Sequence, residues 1–129
     1  MKTERTRLTN KLDAVFSEWI RRRYADENGQ TVCYTCGAVK HWKQMHAGHF
    51  MSRGKKSTRW HPQNVQVQCV SCNIFKAGEQ FKFAQNLDEE HGVGTAEKLQ
   101  YLSNQAGKYT IPELRKLVKR YQDFLSELE

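Results

Sequence analysis

Apolar residues recur along the first part of the chain at helical spacing. Leu8, Leu12, Val15, Phe16, Trp19 and Ile20 fall on one stripe, which predicts a helix over residues 5–24 packed by that stripe onto a core. Arg21, Arg22 and Arg23 follow near its end, where cations suit the helix dipole; a solvated helix end and a phosphate contact both fit them. Glu27-Asn28-Gly29 then stops the helix.

The pattern changes over residues 31–72, which read as short strands and turns. TVCYTCGAV begins with β-formers and turns at its centre. QMHAGHFM reads as a strand that Ala47-Gly48 would weaken or bulge. SRGKKST reads as a polar loop, and Asn64 to Gln68 alternates weakly. Beyond these the helical period returns. Phe81, Ala84 and Leu87 share a face of a helix ending at Gly92, and Thr95 can cap a helix through about Gln105 that carries Leu99 and Leu102. Thr110, Pro112 and Glu113 open a last helix with a capping box and an early proline, and Leu114, Leu117, Val118, Tyr121, Leu125 and Leu128 give it an apolar face. The expected fold is α+β in a single domain: an N-terminal helix over 1–28, a core over 29–92 and a C-terminal helical region over 93–129. These helices read as scaffold, and residues 95–106 or 111–128 would suit a homodimer contact equally well.

A chain of 129 residues with 38% hydrophobic and 27% charged residues fits a folded domain. It contains no apolar run of membrane-spanning length and no apolar leader after Met1, so the expected place of action is the cytoplasm of its host cell. The net charge is +7, and its distribution changes the picture. Residues 1–27 carry seven bases and five acids, and residues 79–129 carry seven bases and nine acids. Residues 28–78 carry seven bases and no Asp or Glu, which suits a surface that faces a polyanion.

All four cysteines lie in two CxxC pairs, Cys33/Cys36 and Cys69/Cys72. Each pair is short enough to chelate one ion, and together they complete a closed tetrahedral S4 shell, the mark of structural Zn2+. Gly37 suits the tight turn after Cys36. Two disulfides would need an oxidising compartment, of which the sequence gives no sign. Zinc would staple Gly37 to Gln68 into a closed loop of 32 residues, and would lower the formal charge only to about +5.

That loop holds His41, His46, His49 and His61, and Asn64 and Asn73 lie at its end or just past it. Such histidines can ligate metal, act as a general base or contact phosphate. The order AGHF, then NVQVQCVSCN, then a Gly-Glu pair resembles the HNH (His-Me finger, ββα-metal) endonuclease superfamily in its HNN form with a zinc staple. The wider stretch HAGHF…SRG…TRWHPQNVQVQCVSCNIFKAGE is most similar to the phage NinG/Rap recombination family. The resemblance covers about residues 31–95.

The resemblance implies a zinc-stapled ββα-metal core with flanking helices, and cleavage of branched DNA of the Holliday-junction type. It implies His49 as general base, Asn73 as ligand to Mg2+ or Mn2+, and Asn64 as the residue that orients His49 or its loop. Arg53, Lys55, Lys56, Arg59 and Lys76 would hold DNA phosphates. One position departs from the family pattern: an acid or histidine usually precedes the catalytic His, and here Gly48 stands there. His46, two residues back and so on the same strand face, is the first candidate to replace that ligand, with His61 as the competitor. Without a replacement, the chain would be a zinc-stapled DNA-binding module that does not cut; a general HNH nicking enzyme is a third expectation. His41 and Trp42 read as surface or packing residues, and His91 as a helix end.

Overall fold

The computed structural model describes residues 2–129. Helix α1 spans Glu4–Arg22 and starts from Thr3, whose hydroxyl accepts from the Thr6 amide at 3.1 Å. Its stripe buries Leu12, Phe16 and Ile20. Helix α5, Ile111–Glu127, starts from the expected capping box: Thr110 Oγ1 accepts from the Glu113 amide at 3.2 Å, and Glu113 Oε1 accepts from the Thr110 amide at 2.9 Å. α5 buries Leu114, Val118 and Tyr121 against α1, each burial worth roughly 1.5–3 kcal/mol. Phe16 and Tyr121 meet edge-on with ring centroids 4.8 Å apart. The two ends of the chain thus form one helical pair, which shares its core with Trp60 and Val65.

After α1, Asp26 Oδ1 accepts from the Asn28 and Gln30 amides, both at 2.9 Å, and turns the chain into β1. Strands β1 (Gln30–Val32) and β2 (Val39–His41) pair antiparallel around the first cysteine turn. A short 3-10 turn, Trp42–Gln44, leads to β3 (Met45–His49), which pairs antiparallel with β4 (Val65–Cys69). Their register runs without interruption from Met45 opposite Cys69 to His49 opposite Val65, so Gly48 produces no bulge. β4 does not alternate: all five residues are buried. Gln66 and Gln68 are buried as well: Gln66 Oε1 accepts from Arg23 at 2.9 Å, and Gln68 Nε2 donates to the Gly78 carbonyl at 2.9 Å.

Three other details differ from the sequence reading. Residues Lys56–Arg59, expected within a polar loop, form a short helix, α2, because outside contacts hold it. Ser57 Oγ donates to the Leu102 carbonyl at 2.6 Å, and Asn64 Nδ2 donates to the Thr58 carbonyl at 3.0 Å. A turn of π-helix over Ser71–Phe75 precedes helix α3, Gln80–His91. α3 buries Phe83 and Leu87 rather than Phe81, which is 79% exposed. Two residues turn a helix by about 200°, so Phe81 and Phe83 cannot share the inner face. Helix α4, Thr95–Ser103, packs Ala96 and Leu99 on Phe83 and Leu87. Thr95 is its first residue and not its cap; Asp88 Oδ1 supplies the acceptor for the Ala96 amide at 2.9 Å. Among the described residues, no helix is long and apolar enough to cross a membrane.

Candidate functional site

The four cysteine sulfurs lie within 4.8 Å of one another, and all four are free thiols. The β1–β2 hairpin brings Cys33 and Cys36, the end of β4 brings Cys69, and the following turn brings Cys72. Gly37 holds φ +79° where the chain reverses, a conformation that favours glycine. Burial opposes ionisation of Cys33, but the amides of Cys69, Cys36 and Thr35 and the Thr35 hydroxyl outweigh it and bring the thiol down to about 6. Burial pushes Cys72 up to about 12. These four sulfurs could hold one metal ion in an S4 shell, and the donor set fits Zn2+.

Beside this cluster, one face of the β3–β4 pair carries His46, Gly48, Gln66 and Gln68. Asn73, on the turn after Cys72, reaches back so that its Nδ2 donates to His46 Nδ1 at 3.0 Å. Both residues are partly open to solvent. A half-turn of the carboxamide about its last bond would place Oδ1 where Nδ2 stands, so both groups can offer a lone pair to one cation. Gly48 has no room for a ligand: a Cβ there would lie 1.8 Å from Gln68 Oε1. The Gln68 amide fills that place, its Nε2 donating to Thr35 Oγ1 at 3.0 Å and its Oε1 buried without a partner.

The opposite face carries Ala47 and His49 against α1. His49 lies in a cleft of about 440 Å³ with Asn10, Asp13, Ser17 and Arg53. Its Nε2 sits 3.0 Å from the Arg59 carbonyl, an acceptor only, so the ring proton belongs on Nε2 and the lone pair on Nδ1. Burial lowers the imidazole pKa from its ordinary value and Arg53 adds to this, against the Arg59 carbonyl and Asp13. His49 is therefore a neutral base at pH 7. His46 and Asn73 come together; His49 stands on the other side of the strand.

The Asn64 side chain bonds to Met51 and Thr58, and the His49 ring to Arg59. Asn64 is fully buried and pins the loop after β3: Oδ1 accepts from the Met51 amide at 2.8 Å, and Nδ2 donates to the Met51 carbonyl at 3.1 Å. His61 Nδ1 accepts from the Gln63 amide at 3.1 Å, and burial, with Lys98 adding to it, lowers the imidazole pKa. His41 packs its ring over Gly29 and accepts from the Lys43 amide at 3.1 Å.

The five expected phosphate ligands do not form one cluster. Arg53 lies at the His49 cleft, Lys56 and Arg59 line a second cleft, Lys55 is exposed between them, and Lys76 is exposed beyond Asn73. Arg59 is already paired: its Nε and Nη2 donate to Asp13 at 3.0 and 2.5 Å. Asp13 also accepts from Arg53 Nη2 and Trp60 Nε1, both at 2.9 Å. These partners outweigh burial and hold the Asp13 carboxyl below its usual range. The acid-free block is thus neutralised in part from outside itself by Asp13, whose one signal in the sequence is its place three residues before the buried Phe16. Arg21 and Arg22 stack on Trp42 at 5.2 and 5.1 Å, and Arg23 donates to the Pro62 and Val65 carbonyls at 3.0 and 3.2 Å. Arg23 therefore fastens α1 to β4 and does not stand as a solvated helix end.

Known relatives match this chain along most of its length. The profile of the family described as Bacteriophage Lambda NinG protein matches residues 2–129. "Protein ninG" of Escherichia phage 933W is 27% identical over 97 residues, which covers 74% of this chain and 47% of the relative. "Protein ninG" of Salmonella phage P22 is 26% identical over the same length, with the same shares covered. The chain thus matches about half the length of these curated relatives. No solved structure matches it.

Proposed function

This chain belongs to the NinG family, and on that footing we propose that it is a metal-dependent DNA endonuclease acting on branched or junction DNA in phage recombination inside the bacterial host. The observation that carries the reading is the 3.0 Å contact between His46 and Asn73. Two residue types competent to bind a cation, from segments 27 positions apart, meet beside the cysteine cluster on a basic protein. In this reading β3, β4 and the turn bearing Asn73 are the ββα-metal core of an HNH enzyme.

The residues present fit a divalent cation, Mg2+ or Mn2+. His46 takes over the role that no side chain at Gly48 can fill, Asn73 offers its carboxamide oxygen, and the buried Gln68 Oε1 on the same face has no other partner. When bound, such an ion stabilises charge on the phosphate and on the leaving 3′ oxygen. For His49 Nδ1 to take the proton of the attacking water, the scissile phosphate must reach round the end of β3 to the His49 face; the Arg59 carbonyl fixes the tautomer that puts the lone pair on this nitrogen. Arg53, 61% exposed beside His49, can turn from Asp13 to a DNA phosphate. Asn64 keeps the loop carrying Arg53 in place. The products are a 5′-phosphate and a 3′-hydroxyl.

A second reading, a zinc-stapled DNA-binding module without catalysis, is favoured by the placement of His49 on the strand face opposite His46 and Asn73. Divalent-dependent cleavage of four-way, flap and linear DNA by the wild type and by His49→Ala separates the two.

A further inference from the structure

A second cleft, of about 420 Å³, opens between α1, α2 and the segment leading into α5. We propose that it seats one unpaired nucleotide of a DNA strand; this rests on the reading of the chain as a DNA-acting protein. Its lining includes Arg5, Lys56 and Lys108, together with Arg59, which is paired to Asp13, and no carboxylate. Arg5, Lys56 and Lys108 are exposed at its rim. The acids nearby are engaged: Asp13 with Arg59, Arg53 and Trp60, and Glu113 in the capping box.

Its wall includes the almost wholly buried Trp60 and the half-buried Tyr109. Trp60 and Tyr109 meet edge-on with centroids 5.3 Å apart. Trp60 is held by its bond to Asp13, and the Tyr109 carbonyl by Arg5 Nη1 at 2.5 Å. Gly107 brings the wall in close, since a Cβ there would lie 2.3 Å from the Ser57 amide nitrogen. A cleft of this size accepts a single base and its phosphate but not a stacked base pair. Cations along a rim beside a partly open aromatic side chain, here Tyr109, are the chemistry that holds single strands.

Position makes the cleft part of the same surface. Asn10 lines both this cleft and the one that holds His49, and Arg59 reaches from this one to Asp13 in the other. A strand whose phosphate lies at His49 continues over Asn10 into the second cleft. An unpaired nucleotide at a branch point can enter it, and a nucleotide inside continuous duplex cannot. The cleft therefore gives a physical basis for selecting DNA with an unpaired nucleotide, as at a flap or gap, over continuous duplex.

The test measures affinity by fluorescence anisotropy at fixed salt, in EDTA, with the full chain. The probes are a labelled duplex, the same duplex with a one-nucleotide gap or flap, and a single strand. The wild type is expected to prefer the probes with unpaired nucleotides by about fivefold or more. Lys108→Glu and Tyr109→Leu, checked for folding by thermal melt, are expected to bring that ratio to about one. A wild type that binds duplex equally well, an unchanged ratio in the variants, or a mononucleotide that competes at the strand's own affinity would each overturn the proposal. Cleavage measured on the same samples keeps the two readings apart. Lost selectivity in the wild type with cleavage retained removes the nucleotide seat alone. Retained selectivity without any cleavage removes the endonuclease alone.

Discussion

The His46 imidazole and the Asn73 carboxamide lie 3.0 Å apart across 27 residues of chain, joined by the β3–β4 pairing and the turn after Cys72. If they share a cation, each is needed for it. The protein should bind one Mn2+ beyond any zinc, and His46→Ala and Asn73→Ala should each weaken that binding by about tenfold or more while the zinc content stays the same. Calorimetric titration reads this directly. Equal Mn2+ affinity in wild type and both variants would remove the site.

Gly48 is required by Gln68 and not by a turn. Adding a methyl at Gly48 forces the Gln68 amide from its place, because the new Cβ would stand 1.8 Å from Oε1. Gly48→Ala should cost about 1–3 kcal/mol in urea unfolding. The same change made in a Gln68→Ala background should cost clearly less, because the obstacle is gone. Strict additivity of the two would show that the crowding is not real.

The cysteine cluster ties β1–β2 to the end of β4. One Zn2+ per chain should be found by elemental analysis. Its removal by a strong chelator, or by Cys72→Ser, should lower the unfolding midpoint by on the order of 10 °C or more. Purified protein that holds its midpoint without metal would contradict a structural role.

Two half-buried histidines set a pH dependence of stability. Burial lowers the pKa of both His49 and His61, with Arg53 and Lys98 respectively adding to it, from an unfolded value of 6.5. Below 6.5 the unfolded chain takes up protons that the folded chain refuses. Their contribution is therefore complete above that value and is lost as pH falls towards the folded values. Urea midpoints should fall from pH 7.5 to 5.5, and a His49→Gln/His61→Gln double variant should show a shallower fall over that window. Parallel curves would place the effect elsewhere.

What could be read from the sequence follows from how local each signal is. The stripe of α1, the capping box of α5 and the paired CxxC turns are short-range patterns, and the structure carries them much as read. Helix α2 was not legible, because Ser57 is held by Leu102, 45 residues along the chain, and the Thr58 carbonyl by the Asn64 side chain, neither of which is a helix signal. The buried face of α3 is set by Phe83 and Leu87 at i and i+4, a spacing that is legible in the sequence, whereas Phe81 stands six residues before Leu87 and faces out. At the candidate site, AGHF and CxxCN pointed to His46, His49 and Asn73, yet the strand face on which each stands depends on the β3–β4 register. Asp13 carried no motif at all; it matters because α1 lays it against Arg53, Arg59 and Trp60.

The central claim is tested most directly by cleavage of a four-way junction in Mg2+ or Mn2+, with EDTA as control, by the wild type and by His49→Ala. The expected result is metal-dependent cutting by the wild type, with 5′-phosphate ends, and a fall on the order of 100-fold or more in His49→Ala while junction binding persists. Cleavage that continues unchanged in His49→Ala, or a wild type that binds the junction and never cuts it, would contradict the account.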